Sequence, residues 1–336
     1  MLKLRRGTVI EAGDAGAPMQ PLVVEVAGER REALADVGRV GPAAEGDEVV
    51  VNVEARDLEL GSGGFDLVHV NLTRGLAGEG TSGAQVMKLN YTSLQHAVLP
   101  VEEGEEVALP LARPVGVFGL HGQLAPLAWA LGQARPGARV GYVHTAGGAL
   151  PGALSEVVRE LRARDLLCAH VTAGPAYGGE GEAITTAGAL HHGLHDAGWD
   201  AAVCGPGPGI LGSASALGHG GMAALDNAHA AIALGCRTVL VARMSSGDPR
   251  PRHRGISHHT LTVLELLLAP VLVALPAGVD PELPDDYRHD VRGVEVDLEG
   301  YRASGLPART MGRDLDEDPD FFAAALAAGR ALGEMP

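Results

Sequence analysis

From residue 113 onward, hydrophobic and polar positions repeat one rhythm. Continuous apolar runs at 115–119, 139–143, 167–171, 200–204, 238–242 and 271–275 alternate with Ala/Leu-rich stretches beginning near Ala125, Pro151, Ala183, Met222 and His258. Short runs apolar on both faces, each followed by a helix-length segment, predict βαβ units and a parallel sheet covered on both sides. The expected main body, residues 111–277, is therefore a doubly wound, mostly parallel α/β sheet. Residues 1–110 follow another pattern. Their β-forming runs at 6–11, 22–27, 47–54 and 65–72 lie between turn residues such as Gly46-Asp47. That spacing predicts a small all-β barrel or sandwich. Gly61-Ser62-Gly63-Gly64 is expected to form a tight loop and 101–107 an exposed connector. Residues 278–336 read as an acidic tail, in which Asp318 as N-cap and Pro319 in the first turn start a helix over 320–332. The Phe321-Phe322 pair is expected to dock it.

Composition narrows the function. Of the 336 residues, 46% are hydrophobic and 20% charged, which is globular, and the formal net charge is −16. Phosphate backbones require a broad basic face, and single-stranded nucleic acids require aromatic platforms; at 3% aromatic residues the chain offers neither. No nucleic-acid partner is expected. The most apolar region, 261–276, is broken by Glu265 and Pro270 and is too short to cross a bilayer, and the N-terminus has no signal-peptide pattern. Cys168, Cys204 and Cys236 are far apart in the chain and lie within or beside apolar runs. They fit reduced thiols in a cytoplasmic protein. The Ala-rich, aromatic-poor helices suit a homo-oligomer.

One segment departs from the acidic background. Between the apolar run at 238–242 and the helix beginning near His258, the chain holds Arg250, Arg252, Arg254, His253, His258 and His259 against the single acid Asp248. A positive island on a negative protein, in a strand-end loop of an α/β sheet, points to a small-molecule site for an anion or a metal. Other predicted strands also end in polar or glycine-rich loops, with His121, His144 and the Gly205-Pro-Gly207-Pro-Gly209 turn.

Three readings are open for His121, His144, His253, His258 and His259. Each can cap a helix or bond a neighbouring loop. His253 and His259 can bind zinc, manganese or iron with Asp248. His121, His144 or His258 can act as general acid or base. Because His258 and His259 are adjacent on a helix, only one is expected to join His253 on a metal. Ser257 is the expected N-cap, and its free backbone N–H groups beside Arg252 and Arg254 suit a phosphate or carboxylate. Gly205, Gly207 and Gly209 are candidates to cradle the same anion. The match of 207–212 to GxGxxG does not predict a nicotinamide site, since Pro206 and Pro208 stiffen the turn and no ribose-binding acid ends the next strand. Cys204 reads as a small buried hydrophobe, and His191, His192 and His195 as a helix surface. The segment 87–95 and Thr310-Met311-Gly312-Arg313 read either as covers of the crevice or as joining segments.

Taken together, residues 60–64, 87–92 with Leu94-Gln95, 253–260, 310–313 and 317–319 resemble a bacterial family defined only as a domain of unknown function. The resemblance spans nearly the whole chain and implies the same architecture, with no activity or catalytic residues to carry over. The expected function is an enzyme acting on a small anionic metabolite by hydrolysis or group transfer, in a crevice between the β domain and the sheet. The alternative is a non-catalytic small-molecule-binding or regulatory protein using that crevice.

Overall fold

The computed structural model describes residues 1–59, 64–104, 106–213, 215–280 and 288–336. Most of the glycine loop expected at 61–64 lies outside them. The chain divides into two compact units, 1–99 and 100–336.

In the first unit β1 (Leu4–Ala12), β2 (Met19–Val26), β3 (Glu29–Asp36), β4 (Glu48–Asn52) and β5 (Asp66–Asn71) close into a barrel in the order β1-β2-β3-β5-β4. Alternate residues point inward, and Val9, Val24, Ala35, Val49 and Val51 are almost fully buried. Such period-two burial is what a closed sheet requires, here antiparallel except where β3 pairs with β5 in parallel. The strand β3 was not expected, because its inward residues are only Ala33 and Ala35 and its outer positions are charged. Its presence follows from the turn before it. Ala27 (φ 53°) and Gly28 (φ 84°) are both left-handed, the backbone that folds β2 back onto β3 as a tight hairpin. Short helices α1 (Val37–Val40) and α2 (Glu54–Asp57) and a hairpin of β6 (Val86–Lys88) and β7 (His96–Val98) complete the unit.

The second unit contains an eight-stranded sheet. Its strands in chain order are β8 (Pro114–Val117), β9 (Val140–Thr145), β10 (Ala169–Ala173), β11 (Gly181–Ala183), β12 (Ala201–Pro206) and β13 (Arg237–Leu240). After the two-residue strands β14 (Met244–Ser245) and β15 (Gly255–Ile256), which pair with each other, come β16 (Leu272–Pro276) and β17 (Asp290–Val294). The spatial order is β11-β10-β9-β12-β8-β13-β16-β17, every pair parallel. Strand residues alternate between two cores. Tyr142, Val203 and Val239 face helices α3 (Leu124–Ala134) and α4 (Glu156–Ala163); Val117, Cys204 and Leu240 face α5 (Thr186–His191), α6 (Ala223–Ala233) and α7 (His258–Leu266).

The segment 278–336 belongs to this unit. It supplies the edge strand β17, the helix α8 (Leu298–Ala303), a small ladder of β18 (Arg309–Thr310) with β19 (Arg313–Asp314), and α9 (Pro319–Gly333). Along α9, Phe321 to Gly329 are all buried, and the helix packs on α3 so closely that a Cβ on Gly329 would lie 2.2 Å from the carbonyl oxygen of Leu127. No helix among the described residues is long and apolar enough to cross a membrane.

The topology places the site. The crossover from β8 runs through α3 toward β9, on one face, whereas those from β12 and β13 run through α6 and α7 on the other. Connections thus leave in opposite directions around β8 and β13. A crevice at the carboxyl ends of such strands is where open α/β sheets bind ligands.

Candidate functional site

At that crevice three loops meet backbone to backbone. A Cβ on Gly220 would sit 1.7 Å from the carbonyl oxygen of Gly147, and one on Gly221 would sit 3.0 Å from that of Gly119. Only glycine fits there, so the glycines after β8, β9 and β12 let the loops touch. The side chain of Gln123 ties them to β13: its oxygen accepts from the Leu120 N–H at 3.1 Å, and its nitrogen donates to the Ala242 carbonyl at 3.0 Å. A narrow pocket between β8 and β13 is lined by Gly119, Leu120, Gly221, Arg243, His259 and Thr260.

The positive island closes the β13 side of this pocket. Pairing of Met244 with Ile256 and Ser245 with Gly255 pinches residues 246–254 into a loop, and a 3₁₀ turn at Pro251–His253 folds His253 back into the interior. Ser257 caps α7, as expected: its hydroxyl oxygen accepts from the His259 N–H at 3.3 Å and lies 2.8 Å from Nδ1 of His253. The backbone of Arg243 is held by the same helix start, donating to Thr260 Oγ1 at 2.8 Å and accepting from the Ser257 N–H at 2.8 Å.

Four imidazoles converge here. One ring nitrogen from each of His253, His258 and His259 lies within 4.8 Å of the others. His219, from the loop before α6, stacks on His259 with ring centroids 3.3 Å apart. The expectation that adjacent His258 and His259 diverge is therefore corrected. At the first turn their rings reach beyond the helix end and converge, with centroids 4.1 Å apart. Burial, then the positive charge of Arg243 and Arg250, lowers His253 to about 4. Burial, then His219 and Arg243, lowers His259 to about 2. Burial, then His258 and Arg243, lowers His219 to about 4, and burial with Arg252 lowers His258. All four rings are neutral at neutral pH, each with one N–H and one lone pair. Both nitrogens of His219 and Nε2 of His258 are buried without a hydrogen-bond partner among the described residues.

Beneath the rings lies an ion-pair network. Asp248 is fully buried and accepts from Arg250 at 2.9 and 2.8 Å, with Arg243 and Arg313 each 3.4 Å away. Hydrogen bonds from Arg250 hold its carboxyl well below the usual range. Asp248, expected as a metal ligand, is instead surrounded by guanidinium groups and is no part of the imidazole set. Burial lowers Arg243 to about 10, so it remains cationic at neutral pH and donates to Nδ1 of His259 at 3.0 Å. Asp318, expected to cap α9, makes no such bond. Its carboxylate accepts from Ser245 Oγ at 2.7 Å, from the Ser246 N–H at 3.0 Å and from Arg313 Nε at 2.9 Å. Thus Arg313 and Asp318 of the C-terminal segment hold the island's loop in place. Arg252 and Arg254 are exposed and make no ion pair with a carboxylate among the described residues.

The other expected site residues lie apart from this cluster. His121 and His144 are buried and satisfied by neighbouring loops: His121 Nε2 is 2.7 Å from Ser155 Oγ and its Nδ1 3.1 Å from the Pro206 carbonyl, while His144 Nε2 is 2.9 Å from the Ala149 carbonyl. His144, His170 and Tyr142 form a stack, the Tyr142–His170 centroids being 5.2 Å apart, and His121 lies tilted beside Tyr142 with centroids 6.3 Å apart. No hydrogen bond or ring contact joins them to the four-histidine cluster among the described residues. Gly205 and Gly207, expected to cradle an anion, are also tightly packed. A Cβ on Gly205 would lie 2.5 Å from the Phe118 ring and one on Gly207 2.4 Å from Nε2 of His144, so neither position has room for a side chain. Gly209 is left-handed, at φ 73°. Cys204 is fully buried and burial raises its thiol pKa, as a structural cysteine requires. His191, His192 and His195 lie near Asp196 on the α5 side.

His219 was missed. Its only signal in the sequence is a histidine inside the glycine run 218–221. In the sequence, Arg313 reads as part of a crevice cover or joining segment and Asp318 as a helix cap, and Arg243 is not singled out.

A closed β-barrel unit followed by a doubly wound parallel α/β unit, with an Arg/His cluster at its switch point, defines the class. The chain belongs to the family described as "Protein of unknown function (DUF3866)", whose model matches residues 33–329. No curated protein matches it. Among solved structures, the crystal structure of YjeQ from Thermotoga maritima is similar at 9% identity over 93% of this chain and 86% of that one, with a TM-score of 0.16, a likeness too slight to bear on fold or function.

Proposed function

We propose that the chain is an enzyme acting on a small anionic metabolite, phosphorylated or carboxylated, by hydrolysis or group transfer at the carboxyl edge of the sheet. The observation that carries this reading is the convergence of His219, His253, His258 and His259 beside Arg243 at the crevice. The guanidinium groups of Arg252 and Arg254, exposed and without carboxylate partners among the described residues, attract and hold the anion. Binding of that negative charge raises the depressed histidine pKa values toward neutrality, which readies His258 for proton transfer. Asp248 and Asp318 fix the loop that carries these groups and touch no substrate.

Turnover of a panel of phosphate esters and acyl substrates tests the reading. A hydrolysed or transferred product that falls at least about 100-fold in His258→Ala supports it. Equal turnover in that variant contradicts the assignment of His258, and tight binding with no product turns the reading to a non-catalytic binding protein.

A further inference from the structure

The same cluster has the donor set of a transition-metal site. We propose that His253, His258 and His259 bind one divalent ion of the zinc class, which engages the lone pair of His258 and so competes with the proton-transfer role given to that ring above. The donors are three imidazoles, one nitrogen from each lying within 4.8 Å of the others, and the nearby carboxylate Asp248 is held away by Arg250. A set of neutral nitrogens without carboxylate selects zinc, cobalt, nickel or copper over magnesium or calcium. Zinc–nitrogen bonds of about 2.1 Å place ligating nitrogens roughly 3.4 Å apart, so closing the set takes side-chain movement on the order of 1 Å.

The hydrogen bonds say which atoms are available. Arginine has no acceptor, so Nε2 of His253, which takes a long 3.4 Å bond from Arg252 Nε, carries the lone pair. Its Nδ1–H then donates to Ser257 Oγ, the kind of outer partner that orients a ligating histidine. In His258, Nε2 is buried and meets no hydrogen-bond partner among the described residues. In His259, Nδ1 accepts from Arg243, so a metal and Arg243 compete for the one lone pair of that ring. The second, independent sign of a ligand is His219. It is 8% exposed, stacks on His259, and has two buried nitrogens that make no hydrogen bond of ordinary geometry among the described residues, the Ala216 backbone interacting only weakly. It lies over the ring of His259, beside the set of three whose nitrogens converge.

The test is a titration of chelator-treated, tag-free full-length protein with cobalt(II) alone, read by its visible ligand-field bands. One equivalent bound in nitrogen-rich coordination, displaced by zinc and weakened at least about tenfold in His258→Ala, is expected. Because Nε2 of His258 makes no internal bond, that variant keeps the fold, which circular dichroism verifies. Arg243→Met is expected to bind cobalt more tightly, and a His191→Ala/His192→Ala/His195→Ala variant equally well. No stoichiometric binding to the wild type, binding unchanged in His258→Ala, or binding lost in the 191–195 variant overturns the proposal. None of these results bears on whether the crevice takes an anion, which the turnover panel decides separately.

Discussion

At the scale of the residue, Asp248 is the group on which the island depends. It is fully buried and accepts from or faces Arg243, Arg250 and Arg313, of which Arg243 is itself only 6% exposed. Removing one partner of a buried ion pair leaves uncompensated charge, which costs more than the pair contributes when intact. Asp248→Asn is expected to destabilise the second unit by about 3 kcal/mol, seen as a lower denaturant midpoint. A change within about 0.5 kcal/mol, typical of a surface position, would show that the guanidinium groups find other partners. The sequence displayed the charges of this island but not their pairing. Asp318 lies far along the chain from Asp248, and its place before Pro319 suggested a helix cap; only the fold brings its carboxylate to Ser245, Ser246 and Arg313. His219 was hidden for the same reason, since its nearest neighbour His259 is remote in sequence.

At the scale of the element, strands buried on both faces were legible because burial on both faces leaves an unbroken apolar run. The six runs read from the pattern correspond to β8, β9, β10, β12, β13 and β16. Within the barrel and the eight-stranded sheet, what escaped were β3, β11 and β17. In β3 the inward residues are alanines, and at the sheet edges β11 and β17 have few buried positions and show polar residues. The helix α9 was legible, but its depth was not. Its run of alanines and glycines is a close-packing surface, and Gly329 sets the approach to α3. Alanine is favoured over glycine inside a helix by about 1 kcal/mol, whereas overpacking costs roughly 1–3 kcal/mol. With backbone rather than a flexible side chain 2.2 Å from the new Cβ, the clash prevails. Gly329→Ala is expected to lower stability by about 1–2 kcal/mol in thermal or chemical unfolding. An increase in stability would mean that α3 and α9 separate at little cost.

At the scale of the whole molecule, the site joins a general feature of the fold to a local exception in charge. Any doubly wound sheet has a crevice where its connections part, and here that position is fixed by β8 and β13. A protein of net charge −16 repels anions at long range, so a short arginine-rich loop at that crevice makes one spot attractive to them. The sequence made both facts readable but could not show that they coincide with His219 and with an ion-pair network reaching from the C-terminal segment. The most direct measurement is nitrogen NMR of the imidazole side chains in metal-free protein, titrated with inorganic phosphate. Saturable shifts at His219, His253, His258 and His259, weakened in Arg254→Ala and absent at His191, His192 and His195, are the predicted result. Shifts at none of the four, or only at the histidines near Asp196, would contradict the central claim that this cluster is the site.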